Sequence, residues 1–148
     1  MVRAILSFFL WPIWSIIFLA GALVYSFFIL FFPSHKLHPL ARILSWLFMF
    51  FGGQWFRVRG TAPDPKQGPY LYLMNHESLF DGFMMVAGIR HYFTGVGAVE
   101  QFSYPVWGYL VKKYGVIPII RQKLKTAITS LQTLEEAINN GTSMMIAP

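Results

Sequence analysis

The sequence predicts an α/β domain, a partial mixed or parallel sheet covered by helices, behind an N-terminal membrane helix or helical hairpin. Three observations predict it. No side chain between Ala4 and Ser34 is charged. Short strand-like and helix-like segments alternate from Tyr70 onward. Finally, 55% of the 148 residues are hydrophobic, more than a water-soluble domain usually carries.

The uncharged run is long enough to cross a bilayer. A helix from Ala4 to Ser34 would reach about 45 Å, against a hydrocarbon core of about 30 Å. The window Ile13 to Phe32 holds thirteen Ile, Leu, Val or Phe residues, roughly 4–8 kcal/mol of gross insertion energy if all sat centrally. Arg3, Trp11 and Trp14 suit one interface, and Pro33, His35 and Lys36 the other. A second apolar stretch, Leu40 to Phe51, is too short to span and stops at Gly52-Gly53, so it is expected along or dipping into the surface. Two topologies stand: a single crossing, or a hairpin whose arms enter and leave one leaflet, with Pro12 and Gly21 able to bend the long arm. Under either, Lys36, Arg42, Arg57 and Arg59 place the following domain on the cytoplasmic face. A cleaved signal peptide competes, since Arg3, the apolar run and Ala20-Gly21-Ala22 mimic its three parts. The strongly apolar Leu23 to Phe32 beyond that supposed cleavage site argues against it. Residues 1–56 are therefore read as a membrane-anchoring segment and 57–148 as a second domain.

Twelve Lys and Arg against six Asp and Glu leave a net charge of +6. Beside a lipid-seeking segment this favours anionic head groups or phosphorylated substrates. The chain has no Arg-rich tract, so no nucleic-acid partner is expected. The lack of cysteine removes disulfides, thiolate metal sites and acyl-cysteine chemistry. His35, His38, His76 and His91 lack the spacing of a zinc helix, and no metal is expected.

Arg57 to Gly68 reads as a polar crossing broken by Pro63, Pro65 and Gly68. Tyr70 to Met74 is a continuous apolar run, expected to be a strand buried on both faces. A helix follows from Leu79 to about Ile89, a strand from His91 to Val96, and a helix from Val106 to Tyr114. Gly115 to Ile120 is a third strand, which Pro118 demotes toward an edge or a strand end. Leu124, Ala127, Ile128, Leu131, Leu134 and Ile138 recur at three- and four-residue steps, marking an amphipathic helix that ends near Asn139-Asn140-Gly141. Asn140-Gly141-Thr142 matches a glycosylation sequon, but a helix C-cap before a strand explains it better. Met144 to Ala147 begins a last strand. Alternating strands and helices place binding sites beyond the carboxyl ends of the strands, where Asn75 and His76 stand.

His76 and Asp81 are five residues apart, which on one continuous helix would set them about 140° out of register. They meet only if His76 precedes the helix and Asp81 lies in its first turn. A carboxylate on one ring nitrogen fixes the tautomer and stabilises the imidazolium, leaving the other nitrogen to take a proton from an alcohol. A plainer reading stands beside it: Ser78-Leu79-Phe80-Asp81 fits a capping box, and Asp81 would then serve as a cap. Ser78 as the nucleophile of a hydrolase lacks the Gly-x-Ser-x-Gly elbow.

The full string Asn75-His76-Glu77-Ser78-Leu79-Phe80-Asp81 resembles the first signature block of the glycerolipid acyltransferase family, whose hallmark is His-x4-Asp. A second block is similar to Gly115-Val116-Ile117-Pro118-Ile119-Ile120-Arg121, which begins 34 residues after Asp81. Ile120 stands where many relatives carry an acidic or polar residue. The resemblance spans roughly Tyr70 to Pro148 and makes 57–148 the N-terminal part of an acyltransferase domain. It implies that His76 is the general base and Asp81 its orienter, with Asn75 and Ser78 on the substrate side and the Arg121 guanidinium matched to an acceptor phosphate. Lys123, with Lys125, either adds positive field to that substrate site or stands at a solvated helix start. It further implies acyl transfer from acyl-CoA or acyl carrier protein to a lysophospholipid, lysophosphatidate (1-acylglycerol-3-phosphate) first, with no bound cofactor. A noncatalytic lipid-binding protein, or another lipid acceptor, is the alternative. The third block, Pro then Glu-Gly-Thr-Arg, is met only by Ile146-Ala147-Pro148, so the chain is expected to be a fragment of a longer protein.

Overall fold

The computed structural model describes residues 2–78, 80–120 and 124–147, with side chains described over 7–78, 80–120 and 128–147. The chain divides into two compact units: Met1–Thr61 with Glu77–Arg90, and Ala62–His76 with His91–Pro148.

The first unit is helical. Helix α1 (Val2–Phe28) runs unbroken through Pro12 and Gly21, and α2 spans Ser34–Phe51. Among the described residues, α1 is long and apolar enough over Ser7–Phe28 to cross a membrane. Many of its large side chains are exposed, Phe8, Ile16, Leu23 and Phe27 among them. The apolar run does not form one rod to Ser34. Pro33 supplies no N–H and disfavours a helical residue before it, so the chain turns over Ile29–Phe32 and Pro33 becomes the N-cap of α2. That second helix starts six residues ahead of Leu40 (40 − 34) and carries Pro39 in its first turns.

α1 and α2 fold back on each other as a hairpin. The Trp14 indole N–H donates to the Phe48 carbonyl at 2.9 Å, and the Phe18 ring lies between Trp14 (5.1 Å) and Phe48 (5.3 Å). Gly21 is there for closeness: a Cβ at this position would come within 2.8 Å of the Phe48 ring. Helix α3 (Phe80–Gly88) completes the cluster by burying Phe83 and Ala87, with Phe83 edge-on to Phe48 at 5.4 Å.

The second unit is an α/β layer with strands β1 (Leu71–Leu73), β2 (Phe93–Ala98), β3 (Ile117–Ile119) and β4 (Ser143–Ile146) and helices α4 (Trp107–Tyr114) and α5 (Leu124–Asn139). The order is β1-β4-β2-β3. All three pairings are parallel, which selects the parallel arrangement over a mixed one. The last strand therefore enters the middle of the sheet, where Ser143 and Met144 are buried. β3 lies at an edge of the described sheet, one of the two places open to Pro118.

β1 is the other edge. Its expected burial on both faces is not met: Leu71 and Leu73 are exposed, and only the Tyr72 side turns inward. A short apolar run reads the same in a central strand and in an edge strand, because neighbours in the sheet come from distant sequence. In α5 the buried stripe is rotated from the apolar one. Ile128 and Leu131 are exposed, while Ser130 and Leu134 are buried, and the Ser130 hydroxyl donates to the Pro118 carbonyl at 2.8 Å. The end of α5 is a Schellman turn: Thr142 N–H reaches Ala137 O and Gly141 N–H reaches Ile138 O, both at 2.9 Å, with Gly141 at φ 84°.

At the amino edge of the sheet, a polar cluster ties three strand starts together. Ser143 Oγ accepts from the Tyr70 N–H at 3.1 Å, and His91 Nε2 lies 3.0 Å from Tyr72 Oη and 3.2 Å from Ser143 Oγ. A neutral ring with Nε2 unprotonated can accept from one of these hydroxyls. Burial lowers the His91 pKa from 6.5 and, together with the neighbouring Tyr70, raises that of Tyr72. Since the folded chain binds the His91 proton less well than the unfolded chain, the contribution of this cluster is complete above about pH 6.5 and is lost as pH falls through the lowered folded value. We expect the melting temperature of His91→Leu to depend less on pH than that of the parent chain between about pH 7.5 and about pH 4.5. Parallel melting curves across that range would show otherwise.

Candidate active site

The amino end of α3 is built by the residues that precede it. The Phe80 N–H donates to Ser78 Oγ at 3.2 Å, and Asp81 Oδ2 accepts the N–H groups of Glu77 and Ser78, each at 2.8 Å. This is a reciprocal capping box, in which a first-turn carboxylate also meets the positive end of the helix dipole. Such caps are worth about 0.5–2 kcal/mol. Ser78 and Asp81 are thus brought together, and the hydroxyl of Ser78 serves the backbone.

The carboxyl end of the same helix is held from α2. His38, 1% exposed, donates from Nε2 to the Ile89 carbonyl at 3.0 Å, and Arg42 donates from Nε and Nη2 to the Ala87 carbonyl, each at 3.3 Å. Two side chains four residues apart on α2 therefore supply donors to carbonyls that a helix end leaves unpaired. Sequence reasoning missed both roles. His38 stands out in the sequence only as one histidine of four, and Arg42 only as part of the basic cluster that sets membrane topology; the available signal was a polar i, i+4 pair within α2.

Asn75 and His76 belong to the second unit. They follow β1, and both side chains are exposed. Because all four strands run parallel, this is the edge at which β2, β3 and β4 also end, the edge where α/β folds assemble their sites. Arg121 and Lys123 lie outside the described residues. In the first unit a cleft of about 150 Å³ opens among Leu10, Trp11, Trp14, Gln54 and Phe80, leaving space beside the residue that precedes Asp81.

An imidazole and a carboxylate are among the side chains that serve as general acids and bases. Comparison with curated proteins gave no match, and comparison with solved structures gave none either. A protein-family model described as Acyltransferase matches residues 55–148, well over half of the chain. That span includes the His76–Asp81 string, β1 to β4 and α3 to α5, and the chain belongs to the Acyltransferase family, the glycerolipid acyltransferases.

Proposed function

We propose that this protein transfers a fatty acyl group from a coenzyme A or acyl carrier protein thioester to the free hydroxyl of 1-acylglycerol-3-phosphate, giving phosphatidate at the cytoplasmic face of a membrane that holds residues 1–56. The acceptor oxygen attacks the thioester carbon as His76 takes its proton, and the thiolate leaves and is protonated in turn. Asp81 keeps the ring in the tautomer that can accept. Oδ2 serves the cap, and a carboxylate has lone pairs enough on its two oxygens for both tasks. Asn75 and Ser78 shape the substrate side of the turn. Arg121 and Lys123 bind the acceptor phosphate, a planar fork of donors matched to phosphate oxygens. The whole gains by holding acceptor and base in one frame.

The observation that carries the reading is an exposed histidine at the carboxyl exit of β1, inside a match to a family of acyltransferases. The apolar α1 supports a lipid acceptor, since such an acceptor resides in the bilayer. The test is acceptor discrimination by the full chain in lipid vesicles supplied with acyl-CoA or acylated carrier protein. Lysophosphatidate should be acylated far faster than monoacylglycerol. Arg121→Ala should raise KM for lysophosphatidate by about tenfold or more, the loss of a charge-assisted phosphate contact, while hardly changing the rate with monoacylglycerol. Equal rates on the two acceptors would remove the phosphate from the proposal, and binding of lysophosphatidate with no thioester turnover would replace transfer by lipid binding.

A further inference from the structure

The segment between β2 and α4 builds a rigid apolar knob. Val106 takes φ 62° and ψ −57°, a conformation strained for a β-branched residue. The Trp107 N–H closes a three-residue turn onto the Pro105 carbonyl at 2.6 Å, and the Gly108 N–H bonds Tyr104 O at 2.8 Å. A side chain at Gly108 would overlap the Phe102 carbonyl, so the turn is clamped against the residues before it. The Trp107 indole N–H also points inward, to Gln101 Oε1 at 3.4 Å. What this clamp leaves outside is apolar: Tyr104 is 56%, Val106 41% and Tyr109 40% exposed. Lys112 and Lys113 stand exposed on the same helix, with the Lys113 ammonium 5.9 Å from the centre of the Tyr109 ring. Glu100 is the one acidic residue in this stretch from 99 to 114.

We infer that this knob is a second bilayer-docking surface, in which Tyr104 and Val106 enter the interface of a membrane containing anionic phospholipid while Lys112 and Lys113 reach its head groups. Tyrosines with a polar tip and lysines with an apolar stem are the side chains suited to that depth, and the charge pair suits the negative cytoplasmic leaflet. A clamped turn loses little freedom on insertion, which favours binding. Its place adds a purpose. A short 3-10 helix, Val99–Ser103, links the carboxyl end of β2 to the knob, which places the knob on the side of the parallel sheet that also carries Asn75 and His76. Docking there turns that edge toward lipid. The inference needs attachment of the chain to a membrane but none of the acyl-transfer chemistry.

The chain has no cysteine, so single labels are clean. Full-length Val106→Cys, Tyr104→Cys and, at the amino edge before β4, Asn140→Cys would each carry an environment-sensitive fluorophore. They would be reconstituted in phosphatidylcholine vesicles with or without phosphatidylglycerol. Nitroxide lipid should quench the labels at 104 and 106 several-fold more than the label at 140. Lys112→Glu with Lys113→Glu should reduce that quenching in the anionic vesicles to the level seen without phosphatidylglycerol. Equal quenching at 106 and 140, in protein whose circular dichroism matches the parent, overturns the surface. So does a response at 106 to added acyl carrier protein in place of lipid, which would make the knob a protein contact. The same measurement on His76→Ala protein separates the two proposals, since docking should persist there whether or not transfer does.

Discussion

Replacing His76 by alanine should cut acyl transfer by about 10²–10⁴-fold, the usual worth of a positioned general base, with little change in melting temperature. The side chain is exposed and follows β1, and surface substitutions of this kind seldom move stability by more than about 0.5 kcal/mol. Product formation and thioester consumption by the full chain in vesicles would be followed together. A variant within a few-fold of the parent would remove His76 from the chemistry. The serine-hydrolase alternative predicts a different trace, thioester loss without acceptor and a covalent adduct at Ser78. Ser78 is a poor nucleophile in its present setting, because its oxygen already accepts from the Phe80 N–H.

Asp81→Asn should separate the two readings of that carboxylate. Asparagine keeps an oxygen for the Glu77 and Ser78 N–H groups, so the capping box should survive at a cost of about 1 kcal/mol or less. It cannot hold the imidazole as an anion does, and where a carboxylate orients a catalytic histidine such a change costs up to about 10⁴-fold in rate. Activity lost with the fold intact assigns Asp81 to orientation. Activity kept in Asp81→Asn and lost in Asp81→Ala, in step with a lower melting temperature, would leave it a cap and nothing more.

Some of this architecture could be read directly. Pro118 pointed to an edge or a strand end, and β3 lies at an edge of the described sheet. Gly141 and Gly53 marked helix ends, because each backbone takes a positive φ there. The string from Ser78 to Asp81 forecast its own hydrogen bonds, since a capping box is a contact between residues three apart. Each of these signals is local, and local preferences survive folding when the tertiary structure agrees with them.

Other features had no local cause. Nothing in Tyr70 to Met74 says that Leu71 faces outward, and nothing in Ser143 to Ile146 says that it enters between β1 and β2. The donors that hold the far end of α3 come from His38 and Arg42, 51 and 45 residues away along the chain. On α5 the buried Ser130 meets a carbonyl of β3, a partner twelve residues away that the apolar spacing does not announce.

From the residues alone came most helices and strands, the capping box at Ser78 and a string that resembles the family's first block, each a signal carried within a few positions of itself. Folding in three dimensions chose the strand order, the exposed edge and the grip of α2 on the helix that bears Asp81. Burial and hydrogen bonding across long sequence separations depend on which partner arrives, and no segment carries that information by itself.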